Sequence, residues 1–229
     1  MIHPLIGYRI KGVIWYQGES DYNEADQYSR LFPTMIRSWR EQWGQGDFPF
    51  YFVQIAPWEY GVYGGGNSAF LREAQMKTMQ TVPNTGMAVT MDIGDCDYVH
   101  PPEKKLVGDR LAYWALSKNY NFEGIAFSGP VFKEIGEIKE GKIKLLFDYN
   151  ENGLSSYGQE LAGFEIAGAD KVFHTAKAEI NRDKSVTVSS DEVLEPVAVR
   201  YAFKNCEKGT LFNTEGLPAS SFRTDTWEQ

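Results

Sequence analysis

The run Lys11-Gly12-Val13-Ile14-Trp15-Tyr16 constrains this chain more than any other segment. It is apolar at consecutive positions and rich in β-branched and aromatic residues, so it reads as a strand buried on both faces. Such a strand needs cover above and below, and a paired neighbour on each side, because unpaired backbone groups are costly to bury. The rest of the first half supplies matching parts. Residues 24–43 place Tyr28, Leu31, Met35, Ile36 and Trp39 at helical spacing, with Pro33 marking either a kink or the true helix start. Residues 50–56 read as a second buried strand, and Ser68 is placed to cap a helix over 69–81. Residues 87–92 read as a third strand. Pro102 then opens a helix to about Lys118, with Leu106, Val107, Leu111, Trp114 and Ala115 on its apolar face. Strands alternating with helices imply a parallel sheet covered on both faces. Only three such strands are visible and ten residues precede the first. A central strand with so few companions predicts that strands belonging beside it lie outside this chain.

The pattern changes near Gly124. Helical spacing stops, and short alternating stretches appear at 142–147, 163–166, 185–188 and 197–202, separated by turn residues such as Asn152-Gly153, Gly168 and Asn181. The expected fold class is therefore α/β: a partial parallel-sheet domain over 1–123, then a small antiparallel β-sandwich domain over 124–229. With 229 residues, the chain is long enough to bury a sizeable core.

Composition removes several classes of partner. A formal net charge of -8 repels phosphate backbones and anionic lipid surfaces. No run of 18 apolar residues is present, so no transmembrane helix is expected. The first residues carry no signal-peptide pattern. Cys96 and Cys206 fit no metal pattern, and an oxidising compartment is what would let them pair. Aromatics make up 14% of the chain. Most are expected in the core, and some along a sugar-binding cleft, because aromatic faces stack on the apolar faces of sugar rings.

Two segments carry chemistry. In Tyr16-Gln17-Gly18-Glu19-Ser20-Asp21, polar residues follow a buried strand directly, and ligands of parallel α/β sheets bind outside the carboxyl ends of strands. The Gln17 amide can donate to a developing oxyanion, and Gly18 lets the backbone pass close to a ligand. Glu19 suits orienting neighbours or bracing a loop better than acting as a base. Ser20 is a tempting nucleophile, but the Gly-x-Ser-x-Gly elbow is absent, and the competing reading is a helix-initiating turn. The second segment is Asp92-Ile93-Gly94-Asp95-Cys96-Asp97-Tyr98-Val99-His100-Pro101. An imidazole there can serve as general base and acid. Asp97, three residues earlier, can curl back to fix its tautomer. Asp95 and Asp97 make metal binding the rival reading for His100. No second histidine lies nearby, so no metal and no cofactor is expected. His3 and His174 read as structural.

With those residues assembled, the sequence resembles the sialate O-acetylesterase family of carbohydrate esterases, which has an SGNH-hydrolase-type fold. The likeness is carried by Ile10-Lys11-Gly12-Val13-Ile14-Trp15-Tyr16-Gln17-Gly18-Glu19-Ser20, by Leu31-Phe32-Pro33 with Trp39-Arg40, and by Phe48-Pro49-Phe50 with Val53-Gln54. It continues through Leu71-Arg72-Glu73-Ala74-Gln75, Asp92-Ile93-Gly94-Asp95 with His100-Pro101, Gly163-Phe164-Glu165-Ile166-Ala167-Gly168, Gly216-Leu217-Pro218-Ala219-Ser220 and Phe222-Arg223-Thr224-Asp225. The resemblance implies that residues 1–123 are the C-terminal part of the esterase domain. It places the family's histidine on His100 and its oxyanion donor on Gln17, and puts Arg72 and Glu73 at the cleft. It also implies a nucleophile in an upstream Gly-Gln-Ser-Asn-like motif, which this sequence lacks. Many members carry aspartate two residues before the histidine, where this chain has Tyr98. Either Asp97 serves instead, or the site runs as a Ser-His dyad oriented by a backbone carbonyl.

The expectation is an esterase that removes O-acetyl groups from sialic acid or related acetylated sugars, with its serine upstream of this chain and inactive without it. The rivals are a non-catalytic fragment or subunit that completes the fold or binds carbohydrate, and a deacetylase of acetyl-xylan or another polysaccharide. The expected partners are the acetylated sugar and a polypeptide supplying the missing half of the esterase domain, in an extracytoplasmic location.

Overall fold

The computed structural model describes residues 2–227. Three short strands, β1 (Val13–Tyr16), β2 (Phe50–Val53) and β3 (Thr85–Ala88), form a parallel sheet in the order β1-β2-β3. Helices α1 (Ala25–Trp43), α2 (Ala69–Thr81) and α3 (Lys104–Asn119) cover it. The alternation of β2 decides which helix lies on which face. Phe50 and Phe52 join Tyr28, Phe32 and Ile36 of α1 and Leu71 and Ala74 of α2. Tyr51 and Val53 point the other way, into Val107, Leu111 and Trp114 of α3. A strand buried at every position is what helices on both faces of a parallel sheet require.

Within these residues β1 lacks the second neighbour that a central strand has. It is the edge of this sheet and pairs with β2 alone. Val13 and Trp15 pack into the α1–α2 side, whereas Ile14 is 73% exposed and Tyr16 37% exposed. The sequence shows an apolar strand on both faces, but α3 packs over β2 and β3 and leaves the outer face of β1 open.

Four local expectations are corrected. The first helix begins at Ala25 and contains Pro33, so the proline does not start it. Ser68 stands at the N-cap position without capping. Its hydroxyl accepts from Arg72 Nη1 at 3.0 Å, and the Asn67 side-chain oxygen takes the Ala69 N–H instead, at 3.0 Å. The third strand stops at Ala88, because the chain turns where the Ile93 N–H donates to the Thr90 carbonyl. Leu106 is 39% exposed and lies off the buried face of α3.

The second half is entirely strands. β4 (Val131–Lys139), β5 (Lys142–Asp148), β10 (Val186–Ser189) and β9 (Lys177–Ile180) form one four-stranded antiparallel sheet. β13 (Phe222–Arg223), β11 (Ala198–Tyr201), β7 (Phe164–Ala167) and β8 (Phe173–Thr175) form a second, and β12 (Phe212–Asn213) pairs with β6 (Leu154–Ser155). The β4–β5 hairpin turns on Glu140-Gly141, both left-handed at φ +51° and +72°, the backbone that a tight two-residue hairpin needs. Ile143, Leu145 and Phe147 of β5 and Phe164, Ile166 and Tyr201 of the second sheet share one apolar cluster, which also contains Phe52 and Leu71. The helical and strand halves therefore have a common core.

Arg72 and Glu73 lock that joint. Arg72 is fully buried and donates to the hydroxyls of Ser68 and Ser221 and to the carbonyls of Ala202 and Lys204, at 3.0, 3.0, 3.4 and 2.5 Å. Glu73 accepts a two-pronged bond from Arg223 at 3.1 and 3.0 Å. Both were expected at the cleft. Arg72 is enclosed by protein and cannot reach a substrate, and Glu73 is held by Arg223. Burial lowers the Arg72 guanidinium to about 10, which leaves it charged at neutral pH. Arg72→Met should lower the unfolding free energy by about 3 kcal/mol in urea titration, because buried carbonyls lose their donor. A loss below about 1 kcal/mol would show that water or neighbours replace the guanidinium.

Candidate active site

Gln17 follows β1 directly at the carboxyl end of the sheet. Gly18 comes next at φ +148°, and a Cβ there would lie 2.9 Å from Ile55 Cγ2 and 3.2 Å from Gln75 Nε2. The glycine is therefore demanded by packing against α2 and the segment after β2. The Gln17 side chain is half-buried, and its Nε2 donates to Asp21 Oδ2 at 2.5 Å. That bond uses one amide N–H and leaves the other for a ligand.

Gln75 sets the position of Gln17. It is fully buried on α2; its Oε1 accepts from the Ile55 N–H at 3.0 Å. Its Nε2 reaches the carbonyls of Val53 and Gln17 at 3.3 and 3.4 Å. The Tyr28 hydroxyl donates to the same Gln17 carbonyl at 3.4 Å. One buried amide thus ties together the carboxyl ends of β1 and β2. Gln75 closes the Leu71-Arg72-Glu73-Ala74-Gln75 motif, and sequence alone assigns it no role. The available signal was an amide four residues after Leu71 on the buried stripe of α2, where a polar side chain needs a partner.

A groove of about 250 Å³ opens beside the β1 edge, lined by Gln17, Asp21, Trp15, Tyr28, Leu31 and Met35. Glu19 is half-buried on the turn that follows Gly18. Burial, and then the Glu19 carboxylate, pushes the Tyr16 phenol up to about 12. Ser20 is exposed on the short 3-10 turn Glu19–Asp21.

The loop after β3 carries His100, and it is anchored at several points. Asp92 accepts two bonds from Arg110 of α3, at 2.7 and 2.6 Å, and Arg110 Nη1 also donates to the Val89 carbonyl at 2.7 Å. At Gly94 a Cβ would lie 2.4 Å from the Pro57 carbonyl oxygen, so the loop lies flat on the segment after β2. Cys96 is disulfide-bonded to Cys206 of the strand half. The Asp95 carboxylate accepts from the Asp97 N–H at 2.9 Å. His100 itself is exposed, as is Asp97, and among the described residues no hydrogen bond joins the Asp97 carboxylate to the ring. His174, by contrast, has its Nδ1 3.0 Å from Glu192 in the strand half.

Contact between the two regions comes from α3, whose first residue is Lys104. Lys104, four residues after His100, sets its ammonium 4.8 Å from the centre of the Tyr16 ring, one residue before Gln17. The donor amide and the imidazole loop therefore share the carboxyl end of the sheet, where parallel α/β folds bind ligands. Among the described residues no group of three His, Cys, Asp or Glu side chains comes together to hold a metal.

Comparisons with known proteins identify the family. A family model described as carbohydrate esterase, sialic acid-specific acetylesterase, matches residues 3–117. The mouse sialate O-acetylesterase is 33% identical over 97% of this chain and 46% of its own length. The human sialate O-acetylesterase is 36% identical over 97% of this chain and 47% of its own length. The crystal structure of a carbohydrate acetylesterase from Xanthomonas citri superposes with a TM-score of 0.90 at 44% identity, covering 99% of this chain and 53% of that one. The chain thus spans about half the length of the relatives it matches. On the family match to its first half, the chain belongs to the carbohydrate esterase family of sialic acid-specific acetylesterases.

Proposed function

We propose that this chain is the histidine-bearing part of a serine-type carbohydrate esterase that hydrolyses O-acetyl esters of sialic acid or related acetylated sugars. The carrying observation is the convergence of the Gln17 amide and the His100 loop at the carboxyl end of one sheet, linked through Tyr16 and Lys104. In this reading the first half is part of an SGNH-type three-layer domain, and the strand half is an accessory β-sandwich. The nucleophilic serine comes from a polypeptide segment outside these 229 residues. That segment docks along β1, whose outer edge and exposed Ile14 leave room for another strand and its covering helix.

The serine oxygen attacks the acetyl carbonyl while His100 takes its proton. The free N–H of Gln17 donates to the oxyanion of the tetrahedral intermediate. His100 then returns the proton to the departing sugar oxygen. Water repeats the sequence on the acetyl-enzyme. Asp97 orients the imidazole after a loop adjustment, or a backbone carbonyl does so in its place. Glu19 and Asp21 brace the donor loop. The Cys96–Cys206 bond supports an extracytoplasmic location, since disulfides persist where the surroundings are oxidising.

The test uses 4-nitrophenyl acetate and a serine-reactive phosphonate. The chain alone should neither turn over the ester nor take the label. Adding the part of the Xanthomonas citri acetylesterase outside the matched half should restore both, with the label on the added polypeptide. Activity of the chain alone with label on Ser20 would overturn the external serine. In the restored enzyme, Gln17→Ala should lower kcat by about 10²–10³-fold with a smaller change in KM. A change confined to KM would make Gln17 a ground-state binding residue. Acetyl-xylan set against O-acetylated sialic acid, compared by kcat/KM, separates the two substrate classes.

A further inference from the structure

At the other end of the sheet, two hollows of about 530 and 500 Å³ flank Tyr149. Tyr149 and Lys118 line both, so the hollows adjoin across these two side chains in one grooved region where the helical half meets the strand half. The groove opens beside Asn84 and Thr85, at the amino end of β3. Lys118 lies 14 residues along α3 from Lys104, on the order of 20 Å at the helical rise, so the groove is remote from Gln17 and His100.

Its wall is aromatic. Trp114 and Phe127 have ring centres 4.6 Å apart, and Phe127 and Tyr149 meet edge-to-face at 5.6 Å. Tyr149 adopts φ +60°, an uncommon conformation for a bulky side chain and one that marks a position worth a functional reading. The buried Asn213 holds it there: its Nδ2 donates to the carbonyls of Ser128 and Tyr149, at 3.0 and 3.4 Å. The chain thus fixes a tyrosine in a strained backbone where its half-buried ring stands between two polar hollows. Around it lie amide and carboxylate groups. Asn152 Nδ2 donates to Glu215 Oε1 at 2.5 Å, and Glu151 and Asp148 are exposed at the rims. The ammonium of Lys118 lies 3.9 Å from the centre of the Phe127 ring.

Aromatic faces with amides and carboxylates at their edges suit a sugar ring, which offers an apolar C–H face and a rim of hydroxyls. Two adjoining hollows suit more than one ring. The carboxylates of Asp148, Glu151 and Glu215 are matched by the ammoniums of Lys118, of Lys133 at 3.8 Å from Asp148, and of Lys184 on the Glu151 carbonyl, so the rim has no excess charge to draw an anionic sugar. We propose that this groove binds a neutral oligosaccharide chain of at least two sugar units, stacked on Tyr149, apart from the acetyl-ester site. The proposal is independent of the esterase reading, and binding to the chain alone tests it.

The experiment is calorimetric titration of the 229-residue chain with xylotetraose and cellotetraose as neutral probes and 3′-sialyllactose as the anionic one. At least one neutral probe should bind saturably and more tightly than sialyllactose at low salt. Tyr149→Ala should weaken it at least tenfold, and Asn152→Ala at least threefold, with thermal melts matching the parent. If Tyr149→Ala melts early, the exposed Asn152 variant decides. Absence of binding by both neutral probes overturns the proposal. So does tighter binding of sialyllactose, or unchanged affinity in a well-folded Tyr149→Ala or Asn152→Ala chain.

Discussion

His100→Ala should cut turnover of 4-nitrophenyl acetate by the restored two-part enzyme about 10⁴-fold, the upper end for removal of a general base. The expectation is large because no other imidazole shares that loop; the remaining histidines are His3 and His174, the latter beside Glu192 in the strand half. The loss should fall on kcat, since an exposed ring that shuttles a proton adds little to ground-state binding. Added imidazole should recover part of the rate. Turnover within tenfold of the parent would remove His100 from the mechanism. Asp97→Asn separates triad from dyad. A loss close to that of His100→Ala means the Asp97 carboxylate swings onto the ring. A loss below about tenfold means a backbone carbonyl orients it, as the open Asp97–His100 geometry favours.

Periodicity made the strand and helix alternation of the first half legible, because β2 is buried on both faces and α1 carries one apolar stripe. The strand-rich second half was legible from alternation such as Ile143, Leu145 and Phe147. What stayed hidden depends on contacts between distant residues. The family resemblance put Arg72 at the cleft, yet its partners, Ser221, Ala202 and Lys204, come from the far end of the chain. Gly18 looked like a place for a ligand to approach, and its constraint is Ile55 and Gln75. The positions of Gln17, directly after β1, and of His100, in the polar loop that follows β3, were legible because polar residues succeed apolar strands. Gln75 was not, because its value lies in two strand ends that only the fold brings together.

Removing the Cys96–Cys206 bond should have the largest effect on stability. The bond closes a loop of 110 residues, and chain entropy assigns about 4–5 kcal/mol to a cross-link of that span. That is a large share of the roughly 5–15 kcal/mol that holds an ordinary domain folded. The Cys96→Ala/Cys206→Ala double variant should therefore show a much lower urea midpoint, measured against the oxidised parent. The bond has a second consequence, because Cys96 stands four residues before His100 on an otherwise exposed stretch. Downstream of Gly94, the turn at Asp95 is local, so the disulfide is the covalent tie between this loop and the strand half. Hydrogen exchange at residues 95–101 should accelerate more than at α3, where Arg110 and Asp92 keep their paired bonds. In the restored enzyme, kcat should fall while KM stays near the parent value, because a looser imidazole still permits substrate binding. A double variant that loses less than about 1 kcal/mol and keeps its exchange pattern would assign the joint to Arg72 and Arg223 instead. The linked loss of stability and kcat would show that the strand half holds His100 in place.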